Sequence, residues 1–318
     1  MPEVDLGRLG YGAANVGNLY RAHTDEKAWQ ILETAWDCGI RYFDTAPHYG
    51  LGLSERRLGA FLATKPRADY LVSTKVGRLL RPNPDGAGRL DDENDFAVPA
   101  DLQRVWDFTA DGVRRSLEES LERLGLDAVD IVYLHDPERC DLRRGIDEGL
   151  PSMAKLREEG LVRAIGVGSM DTDALLATVR TGVLDLLMVA GRLTLADQSV
   201  AGSVLPQCRA QGVGVVDAAV FNSGLLASAA PSADSRFDYA PVPPELLARV
   251  QRIASVCAEY DVPLPVAALQ FPFQETSVRS VVVGGATPDQ VRQNARNLAV
   301  EVPAELWRAL RDENLVAA

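Results

Sequence analysis

The sequence predicts an α/β protein of the (β/α)8 barrel class, folded as a single domain over residues 1–318 with long loops above one end of the barrel. Three observations support this class. Short apolar runs alternate with longer amphipathic stretches along the chain, and about eight of each can be counted. No glycine- or serine-rich linker divides the chain into halves. The G-x-G-x-x-G pattern of doubly wound dinucleotide-binding sheets is absent between a predicted strand and helix, which favours the closed barrel.

The predicted strands are nearly continuous runs of Val, Ile and Leu. Strands that are buried on both faces of a parallel sheet have this composition, whereas strands with one solvent-exposed face alternate apolar and polar residues. In chain order the runs are Leu9–Ala14, Arg41–Asp44, Tyr70–Lys75, Val129–Leu134, Val162–Val167, Leu184–Ala190, Val213–Ala219 and Val278–Val283.

The stretches between these runs have helical periodicity. Ala110–Leu124, for example, carries Val113, Leu117 and Leu121 on one face and is followed by Gly125, a residue that often ends a helix. Most of the stretches open with Ser, Thr, Asp or Pro, as helices often do. The other predicted helices are Glu26–Asp37, Pro151–Glu159, Thr172–Val179, Ser199–Gln211, Pro244–Tyr260 and Pro288–Leu298.

Two segments interrupt the alternation of strands and helices. Gly77–Asp107 follows the third predicted strand and is rich in proline, glycine and acidic residues, and Ala227–Pro244 follows the seventh and is rich in serine, alanine and proline. Loops longer than about 12–15 residues are usually functional in compact domains. Because the active sites of barrel enzymes lie at the carboxyl ends of the strands, we expect both loops to overhang such a site.

The charge of the chain excludes several classes of partner. Its 33 basic and 45 acidic residues give a formal net charge of −12. Such a surface repels phosphate backbones and anionic lipid, so neither nucleic acid nor a membrane is expected to bind. Hydrophobic residues make up 47% of the chain and charged residues 25%, which excludes a disordered chain.

The cysteines and the N-terminal residues predict a cytoplasmic protein without a metal site. The four cysteines, Cys38, Cys140, Cys208 and Cys257, lie far apart and form no C-x-x-C pair, which argues against bound zinc and a disulfide framework. Met1–Asp5 is acidic and lacks the apolar core of a signal peptide, and no run of 18 apolar residues occurs. A barrel buries its own core, so a monomer is the default expectation and a homodimer the alternative.

Three ionisable side chains stand at the ends of consecutive predicted strands. Asp44 ends the second strand, Lys75 the third, and His135 follows the fourth, while Tyr49 lies five residues beyond Asp44. The carboxyl ends of barrel strands meet at one mouth, so these groups are predicted to converge. Any one of them alone would be read as an ordinary solvated or capping residue. Together they predict a catalytic site.

The residues around these four positions identify a family. Residues 41–50 read RYFDTAPHYG and are followed by Ser54-Glu55, which resembles the D-T-A-x-x-Y-G…S-E signature of the aldo-keto reductase superfamily. Ser73–Lys75 and Leu134-His135 resemble the segments that carry its catalytic lysine and histidine. The segment 190–198, AGRLTLADQ, and Asn222–Gly224 are similar to the sugar-oxidising branch. The resemblance runs from about residue 7 to about residue 297.

Hydride transfer requires a group that exchanges a proton near neutral pH. A free phenol titrates near 10, and a neighbouring ammonium favours the phenolate, so Lys75 is expected to lower the pKa of Tyr49. Asp44 would keep Lys75 charged and oriented, and His135 would hydrogen-bond the substrate oxygen. Tyr49 is then the proton donor in reduction and the acceptor in oxidation.

The resemblance also implies a nicotinamide cofactor and a set of residues that bind it. NAD is expected to be preferred and NADP to be a possible second cofactor, because the family positions that hold a lysine and an arginine for the 2′-phosphate fall here on Gly284 and Gln290. Ser169 would replace an asparagine that contacts the nicotinamide carboxamide. The full set of expected cofactor residues is Asp44, Ser169, Asn222, Ser223, Gly224, Gly284, Gly285, Gln290 and Asn294.

For the substrate, the resemblance implies a small sugar or aldehyde, with His48, Trp106 and His135 as expected contacts. The leading expectation is oxidation of the anomeric carbon of an aldose such as L-fucose to a lactone. One alternative keeps the same four residues but reduces or oxidises aldehydes, including aromatic ones such as pyridoxal. A third is a non-enzymatic nucleotide-binding subunit of a larger assembly.

Overall fold

A computed structural model, which describes residues 4–238 and 240–317, is built around eight parallel strands. Each strand is hydrogen-bonded to its neighbours along the chain, and the eighth pairs with the first, so the sheet closes. The predicted (β/α)8 barrel is confirmed. Its strands are β1 (Leu9–Gly12), β2 (Tyr42–Asp44), β3 (Leu71–Val76), β4 (Ile131–His135), β5 (Ala164–Ser169), β6 (Leu186–Ala190), β7 (Gly214–Ala218) and β8 (Val278–Val283).

Helices surround the barrel. The predicted helix Ala110–Leu124 is found with those bounds because Thr109 accepts a hydrogen bond from the amide of Gly112 and Gly125 takes the left-handed conformation, with φ of 63°. In order the helices are α1 (Asp25–Asp37), α2 (Leu53–Leu62), α3 (Ala110–Leu124), α4 (Leu142–Arg144), α5 (Leu150–Glu158), α6 (Thr172–Val179), α7 (Val204–Gln211), α8 (Pro244–Glu259), α9 (Leu264–Gln270), α10 (Pro288–Ala299) and α11 (Ala304–Asp312).

Sequence periodicity predicted helix α7 five residues too long and missed α2, α4, α9 and α11. The helix was expected to begin at Ser199. Instead, the Ser199 amide donates to the carboxylate of Asp197, and this side-chain turn competes with the first helical turn. None of the helices within 4–238 and 240–317 is long and apolar enough to cross a membrane.

The Gly77–Asp107 segment, expected to be a long loop, is largely an antiparallel insertion between β3 and α3. Arg78–Pro82 pairs with Leu102–Trp106, and the shorter Leu90–Asp91 pairs with Phe96–Pro99. Its two ends meet, because the amide of Asp107 donates to the carbonyl of Gly77 at 3.0 Å. The strands were not predicted because prolines, glycines and acidic residues are typical of loops.

The insertion folds over the barrel mouth and contacts the loop between β1 and α1. The amide of Tyr20 donates to the carbonyl of Asp95 at 2.7 Å, and the amide of Ala97 donates to the carbonyl of Asn18 at 3.0 Å. These backbone bonds fix the insertion above the carboxyl ends of β2, β3 and β4. It therefore covers the part of the mouth where the candidate catalytic residues end their strands.

Candidate active site

The barrel brings the predicted residues Asp44, Tyr49 and Lys75 into direct contact. Lys75 Nζ donates to Asp44 Oδ2 at 2.6 Å, to the Tyr49 hydroxyl at 3.1 Å and to the carbonyl of Thr45 at 3.0 Å. Strands β2 and β3 are neighbours, with Asp44 paired in register with Ser73. The predicted convergence of strand-end residues therefore exists in the folded chain.

The Asp44–Lys75 ion pair is almost fully buried. Lys75 is 2% exposed and Asp44 3%. The second carboxylate oxygen of Asp44 accepts a hydrogen bond from Ser73 at 2.7 Å, so both of its oxygens are occupied. Burial alone would lower the pKa of Lys75, but Asp44 and Tyr49 outweigh it and the net pKa is raised. The lysine is therefore a permanent cation at neutral pH.

Tyr49 differs from expectation in its net pKa. Burial raises the pKa of its phenol above the ordinary value, while the ammonium of Lys75 acts in the opposite direction and does not fully compensate. The prediction of a lowered phenol pKa is therefore wrong, although Lys75 lowers this pKa as predicted. Around neutral pH Tyr49 is protonated, and it is a hydrogen-bond donor.

His135 lies next to Tyr49 and is held neutral. The two ring centres are 5.9 Å apart with the planes nearly perpendicular. Burial, with Arg78 and Lys75 nearby, holds the pKa of His135 well below its usual range. A neutral imidazole carries one N–H, which can donate to a substrate oxygen.

Of the other expected substrate contacts, His48 adjoins these residues and Trp106 lies at the edge of the insertion. The ring of His48 is 5.5 Å from those of His135 and Phe96, and its Nδ1 is buried with no partner among the described residues. Trp106 packs against the guanidinium of Arg78 at 4.3 Å. Arg78 was not among the residues singled out from the sequence.

A groove of about 640 Å³ runs beside the mouth and collects most of the expected cofactor residues. Those that line it come from the loop after β7 and from the segment that joins β8 to helix α10. They are Asn222, Ser223, Gly224, Gly284, Gly285, Gln290 and Asn294. Asp44 lies within the barrel end, bound to Lys75.

The residues of this groove fit a dinucleotide. Asn222, Ser223 and Gly224 all have left-handed backbone conformations, which are unfavourable outside glycine and cluster at ligand clamps. Asn222 Oδ1 is buried without a partner among the described residues, so a ligand amide has an acceptor there. Gly284 and Gly285 precede the N-terminus of α10, an arrangement that suits an anionic phosphate.

Ser169 does not join the other expected cofactor residues. Its hydroxyl donates to Glu138 Oε1 at 2.8 Å and accepts from the amide of Asp171 at 2.8 Å. Side chains alternate along β5. A Cβ at Gly168 would meet Met188 in the barrel interior, so Ser169 points the other way. Both hydrogen-bonding roles of the hydroxyl are thus used within the protein.

Three arginines lie in the lining of this groove or on helix α10, which borders it. Arg292 bonds Asp289 and Arg296 bonds Gln293, and both are exposed on α10. Arg21, which the sequence analysis missed, lines the groove and donates to the carbonyl of Ala286 at 3.4 Å. No motif marks Arg21, because it lies in an irregular loop that the fold brings across the barrel mouth.

No group of three or more His, Cys, Asp or Glu side chains in residues 4–238 and 240–317 is arranged to hold a metal ion.

The buried Asp–Lys–Tyr contact, the adjacent histidine and the glycine-rich groove define a nucleotide-dependent oxidoreductase on a (β/α)8 barrel. The sequence profile of the Aldo/keto reductase family matches residues 8–314, and the chain belongs to this family. The resemblance predicted from the sequence is confirmed. The enzyme is an oxidoreductase that uses a nicotinamide cofactor.

Two curated relatives cover nearly the whole chain. A D-threo-aldose 1-dehydrogenase from Pseudomonas sp is 59% identical over 309 residues, which cover 97% of this chain and 94% of the relative. A pyridoxal 4-dehydrogenase from Microbacterium luteolum is 36% identical over 326 residues, with the same coverage of 97% and 94%.

The structure of the glycerol dehydrogenase from Gluconobacter oxydans superposes with a TM-score of 0.76 at 22% identity. The match covers 98% of this chain and 93% of that chain. At this level of identity the likeness establishes the shared fold alone.

Proposed function

We propose that this chain is an aldose 1-dehydrogenase, which oxidises the anomeric carbon of an aldose such as L-fucose to the lactone with NAD as hydride acceptor. The observation that carries the proposal is the 59% identity, over almost the full length, to a D-threo-aldose 1-dehydrogenase. The contact of Asp44, Lys75 and Tyr49 supports it, because these residues supply the proton transfer that the reaction requires.

In this proposal Tyr49 takes the proton of the anomeric hydroxyl. The bound nicotinamide supplies the acceptor for the hydride that leaves the same carbon. Because the phenol is protonated at neutral pH, oxidation requires prior loss of its proton, and Lys75 Nζ stabilises the resulting phenolate from 3.1 Å. The reverse reaction uses the protonated phenol directly as donor to the carbonyl oxygen.

Asp44 acts through Lys75, and His135 acts on the substrate. The Asp44 carboxylate holds the ammonium charged and oriented toward Tyr49. The neutral imidazole of His135 donates its N–H to the reacting oxygen and so fixes that oxygen beside the Tyr49 hydroxyl. His48 and Trp106 remain proposed contacts for the rest of the substrate.

For the cofactor, the proposed contacts are the groove residues Asn222–Gly224, Gly284, Gly285, Gln290 and Asn294. Ser169 is excluded from this set because its hydroxyl is bound to Glu138 and Asp171. NAD is the proposed choice since neither Gly284 nor Gln290 carries a charge for a 2′-phosphate. We further propose one cytoplasmic, monomeric domain for the whole chain.

A substrate panel tests the proposal. Purified protein is mixed with NAD and, separately, with L-fucose, other aldoses, pyridoxal and glycerol, and the absorbance of the reduced cofactor is followed. We expect the highest kcat/KM with an aldose. If pyridoxal were oxidised more efficiently than every aldose, the function of the 36% identical relative would replace the proposed one.

A further inference from the structure

Asp136, the residue after His135, has an unusual backbone. Its φ is 43° and its ψ 57°, a left-handed conformation in which few residues other than glycine occur. Its amide donates to the carbonyl of Gly168 at 2.9 Å, which ties it to the neighbouring strand. The chain therefore turns sharply at the end of β4 and holds the Asp136 carboxylate close to the imidazole.

The Asp136 carboxylate links the active site to the insertion. Its Oδ2 accepts from Arg78 Nη2 at 2.6 Å and lies 3.9 Å from Arg139 Nη1. The same oxygen is 3.7 Å from His135 Nε2, which is too long for a hydrogen bond. At this separation, His135 Nε2 and Asp136 Oδ2 can contact two adjacent oxygen atoms of a single ligand.

Beyond Arg78 lies a polar cavity of about 850 Å³ within the insertion. Arg78, Arg104, Trp106 and Arg139 are part of its lining, together with acidic side chains and amides. Nε of Arg78 and of Arg104 is buried without a partner among the described residues. A buried donor of this kind is rare in native proteins unless a ligand or water satisfies it.

We propose that the Arg78–Asp136 pair recognises a hydroxyl group on the carbon next to the reacting carbon of the substrate. The reacting oxygen would lie at His135, and its vicinal hydroxyl would donate to Asp136 and accept from Arg78. This inference rests on the proposed function, and it narrows the substrate class to compounds that carry an adjacent hydroxyl.

The chemistry of the pair fits a hydroxyl better than the other ligand groups. A hydroxyl both donates and accepts, and so it can bind a carboxylate and a guanidinium at once. An anionic ligand next to His135 would face the Asp136 carboxylate, whose Oδ2 lies 3.7 Å from His135 Nε2, and would be repelled by it. Trp106, packed on Arg78, offers an apolar face to the carbon skeleton of the substrate.

The test compares two substrates within each protein variant. With NAD we measure kcat/KM for L-fucose and for 2-deoxy-L-fucose, which lacks the adjacent hydroxyl. The wild type is expected to prefer L-fucose by about 10- to 100-fold, the range for a hydrogen bond to a charged group. In Asp136→Asn and in Arg78→Met, the preference should fall to about threefold or less. This ratio does not depend on the fraction of folded protein.

Arg81→Met is the matched control. Arg81 lies on the same strand as Arg78 but bonds Glu119 and does not line the cavity, so the wild-type preference should be retained. Retention of that preference in Asp136→Asn as well would overturn the inference. So would a wild type that oxidises both sugars equally well.

A second pair of substrates separates this inference from the proposed function. Reduction of lactaldehyde and of propanal with NADH again compares the presence and absence of an adjacent hydroxyl, but needs no aldose activity. If no aldose is oxidised and lactaldehyde is still preferred in the wild type alone, the proposed function fails and the inference stands. If aldoses are oxidised and Asp136→Asn leaves both preferences unchanged, the inference fails and the function stands.

Discussion

Lys75 Nζ lies 3.1 Å from the hydroxyl oxygen of Tyr49 and 4.6 Å from the centre of its ring. The ammonium stabilises the phenolate, while burial of Tyr49 stabilises the neutral phenol. The two residues therefore have separable effects. In the proposed mechanism, Tyr49 transfers the proton and Lys75 sets the pH at which the transfer occurs.

Tyr49→Phe tests the proton transfer. Loss of general acid–base catalysis should lower kcat by about 10²- to 10⁴-fold. The Kd for NADH, measured by its fluorescence, should change little, because the groove residues are untouched. A variant with turnover near that of the wild type would show that another group transfers the proton.

Lys75→Met tests the electrostatic role of the ammonium. Oxidation needs the phenolate, so its rate rises with pH through the pKa of Tyr49. Removal of the neighbouring cation raises that pKa further, and the rising limb of the pH profile should move to higher pH. Lys155→Met, on the exposed face of α5, should leave the limb in place. If the rising limb of the pH profile stayed in place in Lys75→Met, the role of the lysine would be structural only.

The choice of cofactor is tested at Gln290. Its side chain accepts a hydrogen bond from the amide of Ala286 at 2.8 Å and carries no charge for a 2′-phosphate. We expect a higher kcat/KM with NAD than with NADP. In Gln290→Arg the ratio of the two kcat/KM values should be smaller, since a hydrogen bond to a charged group contributes about 1.5–3 kcal/mol. If the wild type used NADP at least as well as NAD, Arg21→Met would show whether Arg21 holds the phosphate.

Asp217 predicts a pH dependence of stability. It is fully buried on β7, and neither carboxyl oxygen accepts a well-formed hydrogen bond within the described residues. Burial raises its pKa well above the usual value. The folded chain therefore retains a proton that the unfolded chain loses above pH of about 4. The free energy of unfolding contributed by this group should fall as pH rises from there toward the folded pKa.

Urea denaturation at several pH values measures this contribution. Asp217→Asn cannot titrate, so its stability relative to the wild type should increase with pH above about 4. In the control Asp69→Asn, at an exposed aspartate, the free energy of unfolding should change with pH as it does in the wild type. Parallel curves for Asp217→Asn would mean that the carboxyl is not protonated in the folded state.

The sequence predicted the barrel well because its strands are read from composition. Val278–Val283 was predicted with the observed bounds, since a strand buried on both faces is a continuous apolar run. The contact of Asp44, Lys75 and Tyr49 followed from the rule that strand ends share one mouth. These features depend on local pattern and on closure of the sheet.

What the sequence did not predict depends on side-chain direction and on contacts between distant segments. Ser169 adjoins the inward-facing Gly168, and one position along a strand reverses the direction of a side chain. The net pKa of Tyr49 depends on how completely the insertion and neighbouring loops bury it. Arg78 and Asp136 each lie two residues beyond the paired residues Val76 and Leu134, and the sequence patterns do not predict this register between β3 and β4.

The insertion leaves and re-enters the barrel at a single junction, between Gly77 and Asp107. One backbone hydrogen bond of 3.0 Å joins its two ends, and the strands that carry Lys75 and His135 lie outside it. A change in the insertion therefore alters the cover of the mouth, including the burial of Tyr49 beside Phe96, without a change in the sequence of β3 or β4. For directed evolution, a library confined to this segment varies the contacts above the mouth and leaves the eight barrel strands unchanged.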